Sequence, residues 1–427
     1  MFDLGLSAKG WRCLLAAFLS MASYYMYFLV MMFYVPFQNT FGLSNTQIST
    51  LMTVYTLAGM PCYVLAGRAS DVLSPKLCMC LSCFAVGLVG LALSTVPPFG
   101  VLVLLFLLLP LGEISWASCI KCMRMLVPDP AKLGRVFGLA NAADGVMASA
   151  LFLSFVLILG ERISQPAYYR AALAVFGCVE LLCGALIFFM VDYKWILSQA
   201  VIVKADISSS LLGSLKAVLR IPELWAVGFI SMVYYGMTTL VNYISPYLVN
   251  CYGFPVAMST LFAIITRFTL KSMAGLAGGA LRDRFGAVYK SIRLTSIFTI
   301  IGFIGLILLP YGSSRLVPAC AIAAVVIFTY GMNCTAGSLT LGEYDPPSNI
   351  YGTMTGLTSI IGSLGTIIVS NISGPVLDRM GNPGYRYVFA LGIAVELIFV
   401  FSKKIIDWPK GRPNSISKDQ SGEGKKV

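Results

Sequence analysis

The 427-residue chain contains no histidine, and Asp, Glu, Lys and Arg together make up only 11% of it. Without imidazole there is no His general base, no His-bearing zinc site and no His proton relay, so a proton carried on a side chain near neutral pH rides on a carboxylate. A soluble domain carries about 25% charged residues, and a chain with so few lacks the polar surface that water requires. No GxxxxGK loop, GxSxG elbow or HExxH helix occurs, which removes the sequence support for ATP-driven pumping and for common hydrolase chemistry. The twelve cysteines lie mostly inside apolar runs, as with Cys78, Cys80 and Cys83, where they act as small packing residues. Cys119 and Cys122 form a CxxC with no second pair and no βαβ context, so neither a metal nor a redox site is read there.

What is abundant is apolar surface, 58% of residues, at a mean hydropathy of +0.84. A helix crossing about 30 Å of hydrocarbon needs about 20 apolar residues. Twelve such stretches are delimited by Pro, Gly and charge: 11–35, 46–66, 77–96, 101–123, 136–159, 171–191, 224–249, 257–281, 292–309, 317–341, 352–376 and 387–401. The first follows Lys9 and Arg12 without a small-residue cleavage site and reads as a retained span. With the N-terminus inside, cytoplasmic segments hold 23 of the 30 basic residues, which places both termini in the cytoplasm and explains the net charge of +12 without any nucleic acid. Between spans six and seven, Ser208–Ser210 precede Leu211, Leu212, Leu215, Val218 and Leu219 on one face, an expected amphipathic helix at the membrane surface or a helical linker. The expected domains are a six-helix bundle over 1–195, a linker over 196–222, a second bundle over 223–405 and a disordered tail over 406–427.

The two halves repeat at an offset near 211. Phe18-Leu-Ser-Met21 recurs as Phe229-Ile-Ser-Met232, Tyr24 falls on Tyr235, and Phe41-Gly42 on Tyr252-Gly253; later, Val179-Glu180-Leu181-Leu182 matches Val395-Glu396-Leu397-Ile398. Six spans duplicated in one orientation can rock about a central site, the physical basis of alternating access. The turn after span two reads Gly67-Arg-Ala-Ser-Asp71 and that after span eight Gly279-Ala-Leu-Arg-Asp283-Arg284-Phe-Gly286. With these, the chain resembles the major facilitator superfamily, whose GxxxD(R/K)xG motif sits in those two cytoplasmic turns. The second copy matches well; the first has Val72 where a basic residue is expected and Ser74-Pro75 where the glycine would be. A third look-alike, at 374–381 with Asp378-Arg379, falls outside by this topology. The resemblance implies an all-α membrane protein, twelve transmembrane helices in two parallel six-helix bundles, and a transporter with no enzyme activity and no cofactor.

Ionisable residues inside spans are costly and face a cavity or a partner. Arg267 and Lys271 are four apart on span eight, hence on one face, and Asp144 shares a face of span five with Asn141. In the superfamily spans five and eight meet, so the resemblance implies either an Asp144 pair with Lys271 or Arg267, a structural salt bridge, or cations that hold an anionic group on the substrate. Glu113 on span four, one turn before Trp116, is a candidate proton carrier or amine ligand, with Asp144 the second proton candidate. Glu180 and Glu396 read as buried structural acids. Tyr24 and Tyr25 on span one, Tyr234, Tyr235 and Asn242 on span seven, and Asn333 on span ten lie on spans that line the cavity in the family and suggest a polar solute. Glycines of span eleven, Gly352, Gly356, Gly362 and Gly365, read as close helix packing. The expectation is a secondary transporter of a small anionic organic solute, carboxylate or phosphate-bearing, working by symport or antiport with protons or sodium as a monomer in the plasma (inner) membrane. Its alternative is a neutral or zwitterionic solute, with Arg267, Lys271 and Asp144 as a structural bridge.

Overall fold

The computed structural model describes residues 5–127, 130–199, 218–334, 336–344 and 348–410. Among them there are helices and turns but no strand. A bilayer offers backbone groups no water, and apolar stretches of this length satisfy their own amides and carbonyls by coiling. Ten described helical stretches are long and apolar enough to cross a membrane. The two remaining expected spans, two and twelve, correspond to helices Asn45–Val72 and Gly384–Val400. Ordered chain also runs past span twelve, into a short helix Ser402–Asp407. The expected surface helix in the linker lies outside the described residues except for 218–220, as does the tail from 411.

The repeat is visible in the backbone. Gly42 and Gly253 both end the first helix of their half in the left-handed region, at φ +62° and +68°, a conformation that costs a side-chain-bearing residue more than glycine.

The chain forms two compact units. Unit 1 gathers Met1–Leu43, Val54–Ala205 and Val256–Ile264; unit 2 gathers Ser44–Thr53, Asp206–Pro255 and Ile265–Val427. The opening turns of span two thus pack within unit 2, and the repeat-equivalent turns of span eight pack within unit 1. Unit 1 is built most extensively on helices Pro75–Ser94 and Pro166–Met190, spans three and six. In unit 2 the repeat-equivalent pair is Val288–Leu308 with Gly384–Val400, and the broadest interface joins Pro222–Asn242 to Ser348–Met380. Glu180 and Glu396 lie buried in the equivalent packed layers, at 1% and 0% exposure. At the seven–eleven interface Gly365 lets span eleven approach so closely that an added Cβ would strike the Met232 carbonyl. Gly362 packs on Tyr235, whereas Gly356 faces open space, so close packing accounts for only part of that glycine series.

Among the described residues five spans depart from a continuous α-helix, span seven by a turn at Tyr243 between Pro222–Asn242 and Ile244–Tyr252. Spans one and four pass through 3-10 turns, Leu19–Tyr24 and Leu109–Glu113, and span eight through a π segment, Ile265–Leu270. Span ten, expected to be continuous over 317–341, breaks between Leu316–Gly331 and Ala336–Tyr344. There the amides of Asn333 and Cys334 bond back only three residues, to Tyr330 and Gly331, at 3.0 Å each. Such irregular turns inside helices recur at functional sites.

Candidate functional site

In unit 1 the polar groups gather where spans one and four leave α-geometry. Pro110 lacks an amide and sits inside the 3-10 turn that ends at Glu113, which presents the carboxylate at the start of helix Ile114–Leu126. Tyr55 on span two donates its hydroxyl to Glu113 Oε1 at 2.5 Å, and Tyr63 supplies a second hydroxyl to the same carboxylate. The Tyr55 ring stacks on Tyr27 of span one, centroids 3.8 Å apart and planes 10° from parallel. Tyr24 reaches the backbone carbonyl of Glu113 at 3.5 Å, not its carboxylate. The two spans are tied beside this point by Ser23 and Ser115, whose hydroxyls are 2.7 Å apart. Trp116, one turn beyond Glu113, is 36% exposed.

Tyr25 is 2% exposed and its hydroxyl donates to Asp144 Oδ1 at 2.8 Å and to the Asp144 carbonyl at 3.0 Å. Two expected site residues, one a substrate contact and one a proton candidate, are therefore bonded to each other within unit 1. Tyr24 and Tyr25, adjacent in sequence, serve different acids because they flank the 3-10 to α transition.

In unit 2, Arg267 lies on the π segment and Lys271 opens the helix Lys271–Phe285 that follows it. Lys271 Nζ sits 5.7 Å from the centre of the Tyr234 ring. Tyr234 stacks on Tyr330, centroids 6.0 Å apart, and meets Tyr235 edge-on at 6.1 Å. The negative face of the Tyr234 ring attracts the Lys271 ammonium, so the buried tyrosine stack holds a cation inside the span. Asn333, expected beside these, turns to span nine instead: Thr295 donates to its Oδ1 at 2.8 Å. Asn242 is the last residue of helix Pro222–Asn242, seven residues from Tyr235, and stands apart from the Tyr234, Lys271 and Tyr330 group.

Of the second cytoplasmic turn, Gly286 takes φ +66° and closes helix Lys271–Phe285, with Gly279 and Arg284 in its last two turns. The side chains of Asp71, Asp283 and Asn141 lie outside what the structure describes, and Gly67 falls within helix Asn45–Val72.

Sequence reasoning missed Tyr55, Tyr63 and Thr295. The first two carried a signal: hydroxyl-bearing aromatics eight residues apart, about two turns along one side of an apolar helix that also holds Gly59 and Pro61.

Comparison with known proteins agrees with this architecture. The profile of the Major Facilitator Superfamily matches residues 13–370. Inner membrane protein YihN of Escherichia coli (strain K12) is 26% identical over 381 residues, 88% of each chain. Sodium-dependent phosphate transport protein 4 of Homo sapiens is 26% identical over 285 residues, 60% of this chain and 66% of the relative. Among solved structures, the nucleoside transporter NupG (D323A mutant) superimposes with a TM-score of 0.71 at 13% identity, covering 93% of this chain and 99% of that one. A helical membrane chain with this repeat and a profile match over most of its length belongs to the Major Facilitator Superfamily, and is a multi-pass secondary transporter rather than an enzyme.

Proposed function

We propose that the protein carries a small anionic organic solute, carboxylate or phosphate-bearing, by alternating access of two six-span halves, with protons as the coupling ion. The observation that carries this reading is Lys271 poised over Tyr234, with Arg267 one turn earlier on the π segment. Two cations four residues apart inside a span oppose each other's burial, and an anionic ligand offsets that cost. The tyrosine stack at Tyr234 and Tyr330 supports a solute with a hydrogen-bonding or ring-shaped body. The name of the human relative, a phosphate transport protein, supports the same sign of charge. Glu113, set among tyrosines in unit 1, supplies the proton site in a chain without histidine. The distribution of Lys and Arg supports cytoplasmic termini, and the similarity to inner membrane protein YihN supports an inner-membrane location.

The test is a thermal-shift screen of the purified protein against inorganic phosphate, phosphate esters, mono- and dicarboxylates, amino acids and sugars, followed by counterflow of each stabilising compound in proteoliposomes. Stabilisation and saturable counterflow by carboxylates or phosphate esters are expected. A response confined to neutral sugars or zwitterions would overturn the anion reading and leave Arg267, Lys271 and Asp144 with structural roles.

A further inference from the structure

We infer that Tyr55 and Tyr63 of span two are positioning residues for the proton site at Glu113, so that loading the proton loosens span two from span four. The inference rests on the proposed proton role of Glu113. An ionised carboxylate only accepts hydrogen bonds, and it accepts both phenol hydroxyls here. When hydronium delivers a proton, one of its O–H bonds breaks to leave water and one O–H bond forms on a carboxyl oxygen. That oxygen becomes a donor with reduced acceptor capacity, and the charge-assisted bond from the phenol facing it weakens to a neutral one or reverses. Tyr55 cannot follow the carboxyl group freely, because its ring is stacked 3.8 Å from that of Tyr27. Protonation state and the hold of span two on span four are thereby linked through a 2.5 Å bond.

Among the described residues the groups around Glu113 are few. Span one contributes Tyr24, whose hydroxyl reaches the Glu113 carbonyl, and Tyr27 behind Tyr55. Span two contributes Tyr55, Cys62 and Tyr63. From span three the non-titrating Ser82 reaches the same turn, donating to Leu111 at 2.8 Å. Among the described residues no Lys or Arg forms an ion pair with Glu113. The phenols therefore take the place that a basic partner would fill, and they do so without neutralising the site permanently.

The proton itself is the probe, so the experiment needs no solute. Reconstituted protein is titrated with pH while infrared difference spectra follow the carboxylic C=O stretch. The Glu113 band is identified as the one lost in Glu113→Gln. In Tyr55→Phe its titration midpoint is expected to move up by about one pH unit, the size set by losing one hydrogen bond to an ionised group. Tyr63→Phe is expected to move it the same way, and Tyr55→Phe placed on Glu113→Gln to add no spectral change. A Glu113 band whose midpoint is the same in all tyrosine variants would overturn the positioning role while leaving Glu113 as the proton site. Absence of any titrating band removed by Glu113→Gln would overturn the proton role and the inference with it. The thermal midpoint of each variant shows that the phenylalanine substitutions leave the fold intact.

Discussion

Asp378 caps Thr46: its Oδ2 accepts the Thr46 amide at 2.7 Å, while Oδ1 takes the Asn45 amide at 2.8 Å and the Asn45 side-chain amide at 2.9 Å. The first amides of a helix have no partner within it, and a carboxylate there meets both the open donors and the positive end of the helix dipole. The repeat supplies a weaker counterpart in unit 1, where Glu161 accepts the amide of Ala257, 211 residues after Thr46, at 3.2 Å. The third motif look-alike in the sequence is thus the source of a helix cap.

Removing this cap gives a defined expectation. Asp378→Ala should cost about 1 kcal/mol, the usual worth of an N-cap. Glu161→Ala, which loses one longer bond, should cost less. Thermal unfolding midpoints in detergent check the order; equal or unchanged midpoints would refute the capping role.

The glycines of span eleven separate packing from mere composition. Gly365→Ala drives a methyl group into the Met232 carbonyl of span seven and is expected to destabilise by roughly 1–3 kcal/mol, as overpacking does. Gly356→Ala meets nothing within contact distance and should be neutral or slightly stabilising, since alanine favours a helix. Similar midpoints for the two variants would show that the seven–eleven interface relaxes around the added methyl.

Much of this architecture was legible in the sequence because hydropathy, the positions of Pro and Gly, and the duplicated segments are properties of the chain alone. The left-handed ends at Gly42 and Gly253 and the buried Glu180 and Glu396 follow from matched positions of the repeat. The site was less legible. Whether Tyr24 or Tyr25 reaches a given acid depends on a 3-10 turn that shifts the direction of successive side chains, and such a turn has no simple sequence period. Span ten reads as one apolar run, yet its backbone leaves the helix at 332–334 and sends Asn333 to Thr295. Tyr55 escaped because span two was read for its terminal motif, while its hydroxyl acts in the middle of the helix.

A pH effect of known sign is expected at the Lys9 and Asp192 pair. Lys9 Nζ lies 2.7 Å from Asp192 Oδ2 and the Trp195 amide donates to Oδ1 at 3.0 Å. The Lys9 hydrogen bond first, then the Trp195 amide, hold the Asp192 carboxyl below its ordinary value. A carboxyl lowered in the folded state contributes stability that is fully present above the unfolded value near 3.9 and is lost as pH falls through the folded one. The thermal midpoint of the parent should therefore fall more steeply than that of Asp192→Asn as pH drops from about 5 to about 3. Parallel profiles would show that the exposed pair contributes nothing to folding.

The sharpest test of the solute's charge is Arg267→Lys. Guanidinium offers a planar fork that meets a carboxylate or phosphate through two parallel bonds, whereas an ammonium is a point charge that needs a different approach distance. Arg267 is carried on the π segment Ile265–Leu270, whose extra residue per turn offsets its direction from the helix that continues at Lys271. If this backbone device exists to aim a fork at the solute, a charge-conserving replacement cannot restore it. Uptake of the solute identified by thermal shift is expected to fall at least about tenfold, the loss of one charge-assisted bond at roughly 1.5–3 kcal/mol. The amount of protein reaching the membrane should be unchanged. Lys271→Arg, by contrast, keeps a cation able to lie over Tyr234 and should retain more activity than Arg267→Lys. Near-normal uptake by Arg267→Lys would reduce the role of this position to charge alone, and equal losses in both variants would assign it to the packing of span eight.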